Sequence, residues 1–337
     1  MWNNYKKNFS RAELEHAVKL DTVALGVIRN GFVALAEDRV VMPPILSMDV
    51  AENNGEVDVK TAYIEGVPQF VIKVSPGFFD NPKLGLPSLN GLMILFSSQT
   101  GLIEALLLDK GYLTGIRTAL AGALAAENLA NPEIKTVGII GAGAQARLQA
   151  QALKLVRKFE HLQVWSIVPE EAEDYLNEME TVLGVPVTVQ TERNTLVETS
   201  DLIVTTTPSR EPLIEADWVR PGTHITAMGS DQAEKNELTP ELLKKADCFV
   251  CDRISQSETL GELHHAKDAG MTPETIAELG SVISGKSSGR QSEADITICD
   301  LTGTGVQDTA IAVYAFEQAV GLKLGSNFEE GFLSYQF

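Results

Sequence analysis

The chain has 337 residues, of which 44% are hydrophobic and 22% are charged, and its formal net charge at pH 7 is −19. That length is sufficient for two domains with sizeable cores, and the acidic balance argues against nucleic acid or an anionic membrane surface as a partner. Because the sequence has no run of about 18 apolar residues and its N-terminus lacks the apolar core of a secretory signal, we expect a cytoplasmic protein without a membrane partner.

The N-terminal part is predicted to contain two helices followed by an antiparallel meander. The helices lie near residues 11–20 and 22–37, and the strand candidates are residues 57–64, 69–74, 92–96 and 103–108. A helix over residues 113–130 then leads to a change in composition at Asn131 and Pro132, where we place a domain boundary.

Residues 136–147, TVGIIGAGAQAR, combine a short apolar run with a glycine-rich turn and a helix pattern. In a dinucleotide site Gly141 allows the tight turn, Gly143 lets the backbone approach a pyrophosphate, and Ala146 permits close packing of helix on strand. Ala144 and Gln145 complete the turn at the helix N-terminus, which favours phosphate binding. Because glycine-rich turns also end ordinary strands, the context of the motif decides between the two interpretations.

That context is an alternation of strands and helices. The candidates are strands at 162–168, 187–190, 202–207, 224–228, 248–251 and 296–299, with a charged helix at 169–183. The alternation predicts an α/β, Rossmann-type doubly wound parallel sheet over residues 131–305. Ligands in such sheets bind beyond the carboxyl ends of the strands, so the predicted cofactor-binding residues also include Ser166, Thr206, Thr207, Pro208, Met228, Gly229 and Ser230.

A long apolar helix, residues 306–322, follows the last strand. We expect it to return the chain to an N-terminal α+β domain with a largely antiparallel sheet, formed by residues 1–130 and 306–337. Val306, at the start of this helix, completes the predicted cofactor-binding set.

The end of the second strand of the parallel sheet bears on the choice of nicotinamide cofactor. The acidic residue usually found about 20 positions beyond the glycines is missing, since Trp165 is followed by Ser166, Ile167 and Val168. No arginine stands there to bind a 2′-phosphate either. We expect NAD with modest selectivity, and NADP is the alternative.

The cysteines and histidines predict neither a disulfide framework nor a metal site. There are three cysteines, and Cys248 and Cys251 have the spacing of a metal pair. Positions three apart in a strand point to opposite faces, so buried thiols are the favoured interpretation. His264 and His265 are interpreted as exposed helix surface.

Several motifs in order resemble the ornithine cyclodeaminase and μ-crystallin family. They are MPP at Met42, FVIKVSPGFFDNP, GLPSLNG, TGLIEALLLDKGYLTGIRTALAG, GIIGAGAQA, TTTPS, MGSDQAEKNEL and TGTGVQDTAIA. The resemblance implies an enzyme that uses a nicotinamide to exchange hydride at a carbon bearing nitrogen. It also implies a homodimer whose N-terminal sheet contributes to the interface, with a small imino or amino acid bound between that sheet and the nucleotide domain.

The same resemblance assigns roles to three residues. Lys73 matches the family's active-site lysine, suited to hydrogen bonding a carboxylate and, if burial lowers its pKa, to proton exchange. The alternative is a strand lysine that faces solvent while Ile72 and Val74 point into the core. Arg117 matches the arginine that binds the α-carboxylate, and its alternative is a buried ion pair. Asp231 matches the aspartate that activates water or amine, and its alternative is a structural turn.

Two departures from the family pattern bear on the substrate. Ile45 follows Met42-Pro43-Pro44 where many members have arginine, whereas Lys60 stands where the common strand pattern has methionine. A lysine there would anchor a negatively charged substrate, provided the strand register turns it toward the site. The combination resembles the branch of iminosuccinate reductases and ectoine-utilisation cyclodeaminase-like proteins.

We therefore hypothesise NADH-dependent reduction of a small acidic 2-imino acid, with iminosuccinate to L-aspartate as the leading case. The alternatives are ornithine cyclodeaminase, which borrows and regenerates NAD, an alanine dehydrogenase or ketimine reductase, and a nicotinamide-binding protein similar to μ-crystallin without turnover.

Overall fold

The computed structural model describes residues 6–327 of the chain. The helices are α1 (Arg11–Ala17), α2 (Thr22–Ala36), α3 (Tyr112–Leu129), α4 (Ala144–Leu153), α5 (Pro169–Leu183), α6 (Arg193–Thr199), α7 (Pro240–Lys245), α8 (Ile254–Ser257), α9 (Gly261–Asp268), α10 (Leu279–Ile283) and α11 (Gly305–Gly321). The strands are β1 (Lys7–Ser10), β2 (Val40–Val41), β3 (Leu46–Val50), β4 (Gly55–Ile64), β5 (Gln69–Phe78), β6 (Leu92–Ser97), β7 (Ile103–Leu108), β8 (Thr136–Ile140), β9 (His161–Trp165), β10 (Val187–Val189), β11 (Leu202–Thr205), β12 (His224–Ala227), β13 (Cys248–Cys251), β14 (Ile276–Glu278), β15 (Thr297–Asp300) and β16 (Ser326–Asn327).

The contacts divide the described chain into two compact units. The first unit comprises residues 6–19, 39–114 and 305–327, and the second comprises residues 20–38 and 115–304. Residues 1–5 and 328–337, which we assigned to the N-terminal domain, lie outside the described residues. The domain limits at Asn131 and Val306 stay predictions.

The first unit is built on one mixed sheet. Its strand order is β16-β1-β7-β6-β5-β4-β2, and β3 also pairs with β4. The four consecutive strands β4 to β7 pair antiparallel, which confirms the predicted meander. Only the β1–β7 pair is parallel among the strand pairs described for this sheet.

Helix α11 covers one face of this sheet and packs on β4 and β5. A Cβ atom placed on Gly305 would lie 2.3 Å from the Thr61 carbonyl oxygen, so only glycine allows the helix to begin this close to β4. One turn later Thr309 donates a hydrogen bond from Oγ1 to the Ala62 carbonyl at 2.8 Å. The side chains of β4 and β5 that point toward α11 are therefore buried.

The second unit contains a wholly parallel sheet of eight strands in the order β10-β9-β8-β11-β12-β15-β13-β14. The chain moves outward from β8 in one direction through β9 and β10, and in the other through β11 and β12. This reversal is the switch point at which doubly wound sheets bind ligands. The α/β fold with a Rossmann-type sheet is thus confirmed.

The interpretation of the cysteines as buried thiols is confirmed, whereas the interpretation of the two histidines as exposed helix surface is wrong. Cys248, Cys251 and Cys299 are free and buried, and burial raises the pKa of each thiol. His264 and His265 lie on α9 as half-buried side chains, because α9 packs against the loop after β12, where His265 Nε2 lies 2.8 Å from the Lys235 carbonyl oxygen. No helix within residues 6–327 is both long and apolar enough to cross a membrane.

Candidate active site

The glycine-rich turn after β8 has the geometry that a pyrophosphate requires. Gly141 has a φ of +108°, and a Cβ atom on it would lie 2.6 Å from Thr206 Oγ1. Gly143 precedes α4 as its N-cap, and the space where its Cβ would stand is open to 4 Å. A phosphate therefore has access to the backbone N–H groups at this helix end. Ala146 is fully buried, as close packing of helix and strand demands.

The other predicted cofactor residues of the second unit follow neighbouring strands. Ser166 follows β9, Thr206 to Pro208 follow β11, and Met228 to Ser230 follow β12. Backbone hydrogen bonds link these ends: Thr206 donates to the Ile140 carbonyl at 2.9 Å, and Met228 donates to the Thr205 carbonyl at 3.3 Å. Together with the open glycine turn, this edge fits a dinucleotide. Val306 belongs to the first unit and is fully buried at the start of α11.

Lys60 and Lys73 lie side by side on the buried face of the first unit. They are direct cross-strand partners on β4 and β5, and only 5% and 2% of their respective surfaces are exposed. Ile72 and Val74 point to the opposite, partly exposed face. The alternative interpretation of Lys73 as a solvent-facing lysine is therefore wrong, and the register turns Lys60 inward as well.

Two buried carboxylates that were not predicted from the sequence interact with the charge of Lys73. Asp308, on α11, forms an ion pair with Lys73, with 2.9 Å between its Oδ2 and Lys73 Nζ, and both side chains are almost fully buried. Asp109, after β7, accepts a hydrogen bond from the Leu113 backbone N–H at 2.8 Å. Burial raises the pKa of Asp109, and the hydrogen bonds and the charge of Lys73 oppose that shift. The only sequence signal for Asp308 was a carboxylate inside the apolar helix pattern GVQDTAIA.

Arg117 is 4% exposed on α3, within the second unit. The loop at Thr302 and Gly303 backs its guanidinium, since a Cβ atom on Gly303 would lie 2.7 Å from Arg117 Nη1. Asp252 fixes that loop by accepting from the Gly303 N–H at 2.6 Å and from Thr302 Oγ1 at 2.9 Å. The arginine is thus held against backbone rather than exposed on a helix surface.

Asp231 lies in the loop after β12, with 42% of its side chain exposed. Its carboxylate is 2.7 Å from Lys235 Nζ, and the Lys235 carbonyl in turn accepts a hydrogen bond from Ser230 Oγ. The aspartate is therefore oriented by a neighbouring cation at the end of the parallel sheet.

The structure brings an acidic group to the end of β9. Ser166 Oγ donates to Glu171 Oε2 at 3.4 Å and accepts from the Val168 N–H at 3.2 Å. Glu170 and Glu171 both stand in the first turn of α5 and offset the positive end of its dipole. The negative charge expected at the end of the strand itself is thus supplied by the first turn of the following helix.

Comparison with known proteins identifies the family. The sequence profile of the ornithine cyclodeaminase/mu-crystallin family matches residues 6–323, and the chain belongs to that family and is an enzyme of it. An uncharacterized cyclodeaminase of Sinorhizobium fredii and a putative dehydrogenase of Rhizobium meliloti are each 49% identical to the chain. Both alignments cover 96% of this chain and 98% of the relative.

Solved structures of the same fold carry nicotinamide cofactors. The Δ1-pyrroline-2-carboxylate reductase of Thermococcus litoralis, in complex with NADH and L-proline, has a TM-score of 0.91 at 29% identity, covering 96% of this chain and 100% of that one. An archaeal alanine dehydrogenase dimer with bound NAD gives 0.89 at 32%, covering 96% and 99%. The iminosuccinate reductase of Paracoccus denitrificans with NAD+ gives 0.88 at 30%, with the same coverage of 96% and 99%.

Proposed function

We propose that this enzyme reduces a small acidic 2-imino acid to the amino acid, with iminosuccinate to L-aspartate as the leading substrate and product. The observation that carries the proposal is the buried pair of Lys60 and Lys73 on one face of the first unit. Burying two ammonium groups side by side is costly unless anionic groups face them. Asp308 pairs with Lys73, and two ammonium groups on one face are complementary in charge to the two carboxylates of a dicarboxylate substrate.

The cofactor is NAD(H), which supplies the hydride that reduces the imine carbon. Arg117 binds the α-carboxylate, a task for which a planar guanidinium with two parallel donors is suited. Lys73 hydrogen-bonds the same end of the substrate, and Lys60 binds the second carboxylate. The proton that the imine nitrogen takes up comes from Lys73 or Asp231, directly or through water.

The variant Lys60→Met tests whether Lys60 binds the second carboxylate, by comparing an imine with two carboxylates and an imine with one. We expect kcat/KM for iminosuccinate to fall at least about 30-fold, because the distal carboxylate loses its cation, while Δ1-pyrroline-2-carboxylate, which has one carboxylate, changes less than about threefold. Steady-state NADH oxidation measures both. Lys83→Met, which removes an exposed lysine of the same unit, is the control. Equal losses with the two imines, or no loss with either, would refute the role of Lys60.

Ornithine cyclodeaminase is the competing function, favoured by the cyclodeaminase name of the 49% identical relative. NADH absorbance is followed with iminosuccinate, with oxaloacetate plus ammonium as the control, and in parallel L-ornithine is supplied with NAD. Consumption of NADH with formation of aspartate supports the reductase. Release of ammonia and proline from ornithine without net change in NADH would overturn it.

Glu171 is expected to favour NADH over NADPH, because its carboxylate stands at Ser166, the position where the adenosine ribose is bound in this fold. Glu171→Gln should raise the affinity for NADPH relative to NADH by about two- to fivefold, a small effect since the group is exposed. Quenching of protein fluorescence gives both dissociation constants. Glu173→Gln removes a like charge from the same helix and serves as the control. Unchanged relative affinity in Glu171→Gln would show that the carboxylate does not discriminate.

We also propose a homodimer formed through the partly exposed face of the first unit's sheet. Phe70 and Phe96 stack there with ring centroids 5.1 Å apart, and Ile72 pairs with Ile94 beside them. An apolar sheet face of this kind is typical of a surface that another chain covers. Light scattering should give twice the mass of one chain, and Ile72→Asp should give monomers. A monomeric wild-type protein would exclude the proposal.

A further inference from the structure

Four carboxylates of the second unit lie in its interior, and all of them except Asp252, which holds the loop behind Arg117, have no role in the chemistry described above. They are Glu237, Glu262, Asp252 and Asp300, each at most 1% exposed. Burial raises the pKa of Glu237, and it raises those of Glu262 and Asp300 strongly, with a further contribution from neighbouring carboxylates. The part of the chain between residues 6 and 327 contains no cluster of His, Cys, Asp and Glu suited to a metal ion. These groups therefore require another explanation.

Glu237 joins the ends of two neighbouring strands of the parallel sheet. Its Oε1 accepts from the Thr207 backbone N–H and from Thr207 Oγ1, both at 2.7 Å. Its Oε2 accepts from Thr205 Oγ1 at 2.5 Å and from the Gly229 N–H at 2.8 Å. Thr205 is the last residue of β11, and the other three donors belong to the segments after β11 and β12 that border the predicted cofactor site.

Gly229 allows this approach because it has no side chain. A Cβ atom there would lie 2.6 Å from Glu237 Cδ and 2.1 Å from the Thr207 carbonyl oxygen. The Glu237 carboxylate is thus packed directly against both strand ends. Its four hydrogen bonds fix the distance between those two strand ends.

Glu237 is itself held in place by the other carboxylates. Glu262 accepts from the backbone N–H groups of Glu237 and Leu238 at 2.8 and 3.0 Å. Asp300, at the end of β15, accepts from the Glu262 N–H at 3.1 Å. A continuous series of carboxylate-to-backbone hydrogen bonds therefore connects β15, through the start of α9, to the ends of β11 and β12.

We propose that Glu237 is a positioning residue that sets the distance between Thr207 and Gly229 and thereby determines the affinity for the nicotinamide cofactor. The inference rests on NAD(H) as the cofactor and is independent of which imine is reduced. A cofactor bound between these segments meets backbone groups that are already in fixed positions. Binding therefore does not carry the entropic cost of ordering these segments.

Glu237→Gln is the informative variant because it keeps the shape of the side chain. The glutamine amide can be oriented in two ways. In each of them its NH2 group replaces a carboxylate oxygen that accepts from one threonine hydroxyl and one backbone N–H. The hydroxyl of Thr205 or Thr207 rotates to accept, whereas the backbone N–H of Gly229 or Thr207 loses its acceptor. We expect the dissociation constant for NADH to rise at least about tenfold.

Thr205→Val removes one donor to Glu237, and Thr205 is fully buried beneath the strand end. We expect the dissociation constant for NADH to rise about threefold, and the double variant with Glu237→Gln to show less than the product of the two effects. Glu241 is an exposed glutamate at the start of α7, and Glu241→Gln should leave the dissociation constant for NADH unchanged. Fluorescence titration with NADH measures binding without turnover, so the result does not depend on the identity of the substrate.

A purely structural role predicts a different pattern, in which the melting temperature and the amount of active enzyme fall while the folded protein binds NADH as the wild type does. NADH affinity within twofold of wild type in Glu237→Gln would overturn the proposal. If that variant does not fold, Thr205→Val decides: an increased dissociation constant supports the positioning role, and an unchanged one refutes it.

Discussion

Lys73→Met is expected to lower kcat/KM for the imino acid by about 10³-fold, with the dissociation constant for NADH unchanged within about twofold. Methionine fills a similar volume in the buried strand but has no proton to donate and no charge to offer a carboxylate. The loss combines a proton-transfer contribution with the loss of one charge-assisted hydrogen bond. Stopped-flow measurement of NADH oxidation, together with fluorescence titration of NADH, separates chemistry from cofactor binding.

Lys60 provides a matched comparison, because it is the cross-strand partner of Lys73 and is also buried. Lys60→Met is expected to act only on substrates with a second carboxylate, whereas Lys73→Met is expected to act on every imine tested. A Lys73→Met enzyme with more than about a tenth of wild-type activity would remove Lys73 from the chemical step.

Asp308→Asn is expected to have the largest effect on stability. The substitution removes the negative charge 2.9 Å from Lys73 Nζ, in a pair of which neither side chain is more than 2% exposed. Loss of one partner of a buried ion pair costs about 3–5 kcal/mol of unfolding free energy. Activity should also fall about 10²-fold, since the lysine is no longer held in one orientation. Urea unfolding and steady-state kinetics measure the two effects.

Glu317→Gln, on the exposed side of the same helix, is the matched control and should change neither quantity. The double variant Lys73→Met with Asp308→Asn should be more stable than Asp308→Asn alone, because the ammonium group that has lost its carboxylate partner is removed as well. If the two stability losses simply add, the ion pair does not account for the effect.

The parallel sheet was predictable because its signals are local. The turn at Gly141 and Gly143 and the short apolar runs that follow each occupy a few adjacent residues, so the order of elements and the residues at the strand ends could be predicted from the sequence. The face on which Lys73 lies could not be, since alternation along QFVIKV permits either side. What decides it is Asp308 on α11, a helix far away in the chain.

The buried carboxylates escaped prediction for the same reason. Glu237, Glu262 and Asp300 come from a loop, a helix and a strand, and each looks like an ordinary acidic residue in its own segment. Only the fold brings the carboxylate of one onto the backbone of the next. Glu171 was not predicted either, although it lies only a few residues beyond β9 in the sequence. The charge at the end of that strand comes from the first turn of the next helix.

The position of α11 in the chain has a consequence for biosynthesis. Asp308, the carboxylate beside Lys73, is made about 235 residues after that lysine, once the whole second unit has been translated. Until then β4 lacks the helix that covers it at Gly305 and Thr309, and contacts between such distant segments form late in folding. A chain that ends before Gly305 therefore lacks Asp308 and the helix beside the lysine pair, and we expect it to be inactive.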